Sequence, residues 1–131
     1  MRAARVSAAA PTCNLIYDPN NVFARILRKE IPAQLLHEDH LCIAFRDLAP
    51  QAPTHFLVVP KRPLACLADA TEEDKAVLGH LLVIAGKVCR DLGVAHDGFR
   101  TVINSGARAG QSVFHLHVHV LAGRDMRWPP G

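Results

Sequence analysis

His115-Leu116-His117-Val118-His119-Val120 alternates imidazoles with branched apolar side chains over six positions. Strict alternation is the pattern of a half-buried β-strand, in which residues two apart share a face. Read this way, His115, His117 and His119 form a row with neighbours about 6.5–7 Å apart. Leu116, Val118 and Val120 turn the other way, into a core. Helical geometry would scatter the same imidazoles by about 100° per residue. The stretch therefore predicts a strand carrying an organised site.

The surrounding chain limits what that site serves. Its 131 residues suit one domain with one core. Half of them are hydrophobic and 21% charged, a globular balance rather than a disordered one. The net charge of +3 comes without a lysine run, so an anionic small molecule fits it without any nucleic-acid groove. No run of 18 apolar residues occurs, so no membrane partner is expected. Cys13, Cys42, Cys66 and Cys89 form no CxxC pair and read as free core thiols. Residues 1–20 read as a disordered lead and 21–131 as the domain. Arg2, Arg5, many alanines and no acid before Asp18 give the lead the composition of a transit peptide. The expected compartment is the cytoplasm, extending to the nucleus, with the mitochondrion as the alternative.

Patterning supplies the other elements. Asn21 caps a short helix with Val22, Phe23, Ile26 and Leu27 at helical spacing. Residues 35–38 and 41–46 read as a hairpin across Asp39-His40, and 55–60 as a continuously apolar, central strand. Thr71 opens a long helix with a capping-box-like start, and Gly93 ends it. Its expected buried face holds Val77, Leu78, Leu81, Leu82, Ile84, Ala85 and Val88. Residues 99–103 form a strand, and 104–111 a glycine-containing loop before the histidines. The order predicts α+β: a mostly antiparallel sheet of about five strands, with one long and one short helix on one face.

Three chemistries compete for the histidine row. All three imidazoles span about 13–14 Å, too far for one tetrahedral ion with bonds near 2 Å. Two of them with His55 remain open as zinc ligands. A purely structural role is the second reading. The third is nucleophilic catalysis: a neutral imidazole can attack phosphorus and divide one hard displacement into two easier ones. The loop at Gly110, Gln111 and Ser112 offers donors for phosphate oxygens.

Beyond this, GQSVFHLHVHVLAGR (110–124) and RWPPG (127–131) resemble the histidine triad (HIT) superfamily, in particular its nucleotide-binding, protein kinase C inhibitor-like (Hint) branch. ILRKEIPA (26–33), AFRDLAPQAPTHFLVVPK (44–61) and VLGHLL (77–82) extend the resemblance over most of the chain. It implies a homodimer whose sheets join, and a metal-free, cofactor-free purine nucleoside phosphoramidase. Such an enzyme cleaves the P–N bond of adenosine 5′-phosphoramidates to AMP and an amine. The resemblance makes His117 the nucleophile. It assigns the phosphate to His119, Gly110, Gln111 and Ser112, with Asn104 reaching phosphate or ribose. Asp47 holds the ribose hydroxyls, Phe45 and Leu48 flank ribose and base, His55 completes the site, and His115 orients the row. Phe23 and Ile26 are expected as pocket walls. Arg46 stands where relatives often carry histidine, which opens the choice of AMP- or GMP-type substrate. Arg108 reads as a solvated loop charge, and Trp128 as a tail residue near the partner's site. The alternatives are a nucleotide-binding regulatory or scaffold protein and a dinucleoside polyphosphate hydrolase.

Overall fold

The computed structural model describes Cys13 and residues 16–131. Arg2 and Arg5, which carry the transit-peptide reading, lie outside the described residues.

Five strands form one antiparallel sheet: β1 (Leu35–Glu38), β2 (Cys42–Arg46), β3 (Thr54–Pro60), β4 (Phe99–Val102) and β5 (Val118–Ala122). Their order is β1-β2-β3-β5-β4. β3 therefore lies in the middle, as its unbroken apolar run requires. The two helices are α1 (Val22–Leu27) and α2 (Lys75–Asp91). The α+β architecture is the expected one. The helices, however, do not share a face. Alternation along β2 and β3 sends Cys42, Ala44, Phe56 and Val58 to a core built on α2. It sends Ile43, Phe45, Leu57 and Val59 to a second core under α1. A sheet apolar on both faces needs a cover on both, and the short α1 supplies the second one.

Local chemistry sets the helix ends. Asn21 accepts from the Ala24 amide at 2.9 Å and starts α1. Thr71 and Asp74 form a reciprocal capping box, so the chain enters α2 through a single 3-10 turn, Glu72–Asp74. The Asp74 carboxylate is buried and pairs with Arg62. Gly93 stops α2 at φ +77°, a left-handed conformation that favours glycine. Leu82, expected on the buried face, is half exposed. It falls outside the arc of Leu81, Ile84, Ala85 and Val88 that meets the sheet.

The cysteines divide. Cys42 and Cys89 are free and buried, as expected. Cys13 and Cys66 are not free: they form a disulfide between Cα atoms 6.6 Å apart. They stand 53 positions apart in the chain, and no local spacing pattern announces such a pair. Among the described residues no helix is long and apolar enough to cross a membrane.

Candidate active site

On the α1 face, a cavity of about 560 Å³ opens between α1, the start of β3, the loop after β2 and the loop before β5. Phe23, Ile26, Phe45 and Leu57 give it apolar walls, and Asp47, His55, His117, His119, Asn104 and Ser112 bring polar groups to it. Flat apolar walls with a few convergent polar groups describe a small-molecule site. The sheet register explains the gathering. Leu57 faces His119 across the β3–β5 ladder, and His55 stands two residues earlier on β3, on the same side. The rings of His55 and His119 lie 5.2 Å apart, and those of His117 and His119 5.0 Å apart. Phe23 meets His117 edge-on at 4.8 Å.

Hydrogen-bond partners dictate which nitrogen of each imidazole carries its proton. A carbonyl only accepts. Nδ1 of His117 lies 2.7 Å from the carbonyl of His115, so Nδ1 carries the proton and donates it. His117 Nε2 keeps its lone pair, and no described residue hydrogen-bonds it. The Gln51 amide donates to His55 Nδ1 at 2.9 Å, which places the His55 proton on Nε2. From there it is shared between His119 Nδ1 at 2.9 Å and the Asp47 carboxylate at 3.4 Å. His119 Nδ1 thus accepts, and its own proton sits on Nε2. One imidazole offers a lone pair and its neighbour offers an N–H.

Burial keeps the set neutral. Desolvation lowers the pKa of His55 and His117 although Asp47 pulls both upward. His119 falls to about 4, first through burial and then through repulsion by His117 and His55. The unfolded chain titrates near the ordinary histidine value of about 6.5. Between pH 6.5 and 4 it therefore binds protons that the folded site refuses. Stability is expected to be constant above about pH 6.5 and to decline as the pH drops toward 4. Denaturant midpoints measured across that range check this. Restoring the lost stability with the triple variant His55→Gln, His117→Gln, His119→Gln would assign it to these rings.

The structure departs from the expected row at two residues. β5 begins at Val118, so His115 and His117 precede the ladder. The Leu116 amide bonds to the Leu64 carbonyl at 2.7 Å instead. His115 is fully buried and does not line the cavity. Its Nε2 donates to the Pro60 carbonyl at 2.8 Å, and its Nδ1 accepts from the Tyr17 hydroxyl at 2.7 Å. Its backbone carbonyl accepts from His117 Nδ1 and so fixes the orientation of that ring. The Gln111 side chain is likewise turned away. It donates to the Ala65 and Val113 carbonyls and accepts from the Gly106 amide, so it braces the loop and has no N–H left for a phosphate oxygen.

The remaining candidates, Phe23, Ile26, Phe45, Asp47, Leu48, His55, Asn104, Gly110, Ser112, His117 and His119, all line the cavity. Asp47 has an internal task as well. One oxygen takes the Ala49 amide at 2.8 Å, and the other lies beside His55. Leu48 is 91% exposed and sits at the rim. Arg46 lines the cavity, whereas Arg108 is exposed outside it. Sequence reasoning missed Tyr17, which falls in the stretch read as a lead, and the Gln51 amide, a backbone group without any side-chain signal.

An open antiparallel sheet presenting paired neutral imidazoles beneath an apolar-walled cavity defines a histidine-triad architecture. Residues 28–126 match the HIT domain, and the chain belongs to that family. An uncharacterized HIT-like protein of Synechocystis is 56% identical over 112 residues, covering 86% of this chain and 97% of that protein. A HIT family hydrolase from Legionella pneumophila superposes with a TM-score of 0.83 at 43% identity, covering 86% of this chain and all of that one. A second HIT family hydrolase, from Clostridium thermocellum, gives 0.80 at 42% identity, with 82% and 94% covered.

Proposed function

We propose that the protein is a hydrolase of purine nucleoside 5′-phosphoramidates that works through a nucleotide transiently bonded to His117. The observation that carries this reading is the hydrogen bond from His117 Nδ1 to the His115 carbonyl, which leaves Nε2 as a neutral, oriented lone pair beside the cavity. Two neighbours named as HIT family hydrolases support hydrolysis as the reaction type.

The purine lies between Phe23, Ile26 and Phe45, and Asp47 takes the ribose hydroxyls. Gly110, Ser112 and the His119 Nε2–H hold the phosphate oxygens. His117 Nε2 attacks the α-phosphorus in line with the amine. A bond from phosphorus to His117 forms as the bond from phosphorus to the amine breaks. The amine leaves with a proton supplied in net from solvent, relayed by the Ser112 hydroxyl with His119. Water then attacks the same phosphorus, releases AMP and frees His117. Fixed donors and positioning supply most of the acceleration.

The protein acts as a homodimer whose sheets join along β4. Support comes from the place of β4 at the edge of the sheet among the described residues, its exposed Phe99, and the tail beside it. Arg100 of β4 donates to the Arg127 carbonyl at 3.0 Å and lies over Trp128 at 5.9 Å, while Trp128 stays 81% exposed. A substrate panel tests the reading. Adenosine 5′-phosphoramidate should turn over and diadenosine polyphosphates should not. The reverse preference overturns the bond assignment, and AMP binding without any turnover overturns catalysis.

A further inference from the structure

A cluster of side chains with metal-ligating atoms lies at the other end of β2 from Asp47. His37 Nε2 on β1 and His80 Nε2 on α2 each stand 2.7 Å from the same oxygen, Oδ2 of Asp39 in the β1–β2 turn. Cys42 Sγ on β2 is 3.7 Å from that oxygen. The other carboxylate oxygen accepts the Leu41 and Cys42 amides at 2.7 and 3.0 Å. Five donors thus crowd a carboxylate that has about four lone-pair sites. Donor atoms of His37, Asp39 and Cys42 all fall within 4.8 Å of one another. The imidazoles and the carboxylate keep 16–26% exposure and are in reach of solvent ions, whereas Cys42 is fully buried and closes the inner side of the cluster.

We propose that His37, Asp39, His80 and Cys42 form a binding site for a zinc-class divalent transition metal. Two imidazoles, a carboxylate and a thiol are a donor set for zinc or cobalt and a poor one for magnesium or calcium. Bonds of about 2.0–2.3 Å place tetrahedral donors about 3.3–3.7 Å apart. The Cys42 to Asp39 distance already meets this. His37 needs to withdraw from Asp39 by roughly 0.6 Å on this geometry, while His80, whose Nε2 lies outside the set of donors within 4.8 Å of one another, has to swing in toward the others as the ion gathers them. On binding, each ring presents a deprotonated Nε2 to the ion and keeps its proton on Nδ1, and the thiol releases its proton to solvent. The ion would lock the hairpin turn to α2, joining β1, β2 and the helix at one point. The site is separate from the cavity and does not depend on the function proposed for it.

The test is a cobalt(II) titration of the full chain followed by absorption spectroscopy. His37→Gln and His80→Gln serve as variants because glutamine can still donate to Asp39, which preserves the fold, but binds metal poorly. His119→Ala controls for the group of such atoms at the cavity, Asp47, His55 and His119. One equivalent should bind with a tetrahedral visible band and a thiolate-to-cobalt charge-transfer band. Each glutamine variant should weaken binding by at least the roughly 10–100-fold that loss of even an outer-shell partner costs. His119→Ala should leave the affinity unchanged. The proposal is overturned by an absence of saturable binding, by a spectrum without the thiolate band, or by binding that disappears in His119→Ala and survives in His37→Gln.

Discussion

Replacing His117 with alanine is expected to lower phosphoramidate turnover by about 10³-fold or more, the scale on which removing a covalent nucleophile acts. AMP affinity should change little. The walls at Phe23, Ile26 and Phe45, the Asp47 carboxylate and the Gly110–Ser112 side of the cavity remain in place without the imidazole. The division of the effect is informative. A ring that only helped to hold the phosphate would weaken substrate and product binding along with the rate. Steady-state kinetics beside calorimetric AMP binding measures both. Near-wild-type turnover in this variant would remove His117 as nucleophile.

Leu116→Ala should have the largest effect on stability among substitutions near the site. Leu116 is 1% exposed and packs with Phe56, Leu81, Val118 and Val120 in the α2-side core. Truncating a buried leucine costs about 2–5 kcal/mol, through lost transfer energy and the cavity left behind. That is a large part of the roughly 5–15 kcal/mol that holds a domain together. A fall in Tm on the order of 10 °C is expected. The position adds a functional consequence. Leu116 separates the carbonyl that orients His117 from His117 itself, so a looser core also loosens the nucleophile. The rate should fall more than the fraction of unfolded protein explains, and turnover measured well below Tm checks this. Leu82→Ala, at a half-exposed residue of α2, should move neither quantity appreciably.

Most of the fold was legible because the pattern that specifies it is local. Alternation placed Leu116, Val118 and Val120 in the core, and the apolar run of β3 marked the central strand. The caps at Asn21 and Thr71 appear at the helix starts where hydrogen-bonding chemistry requires them. Placing α1 on the opposite face from α2 was not legible, since six helical residues carry no signal of which side of a sheet they cover. The convergence of His55 with His119 depended on register between strands 64 residues apart. Polar residues near a glycine loop look alike in sequence whether they face a ligand or brace the chain. Gln111 proved to be a brace because its oxygen and its amide nitrogen are both engaged within the protein. The roles of His115 and Tyr17 depend on a contact across 98 residues, which no local motif encodes.

The central claim is that His117 Nε2 becomes bonded to the nucleotide. Rapid acid-free quenching during turnover of adenosine 5′-phosphoramidate, followed by digestion and mass spectrometry, tests it directly. An adenylyl adduct on the peptide that contains His117, forming and decaying at rates that account for steady-state turnover, is the predicted result. Hydrolysis with no adduct, or with an adduct on a different side chain, would contradict the account.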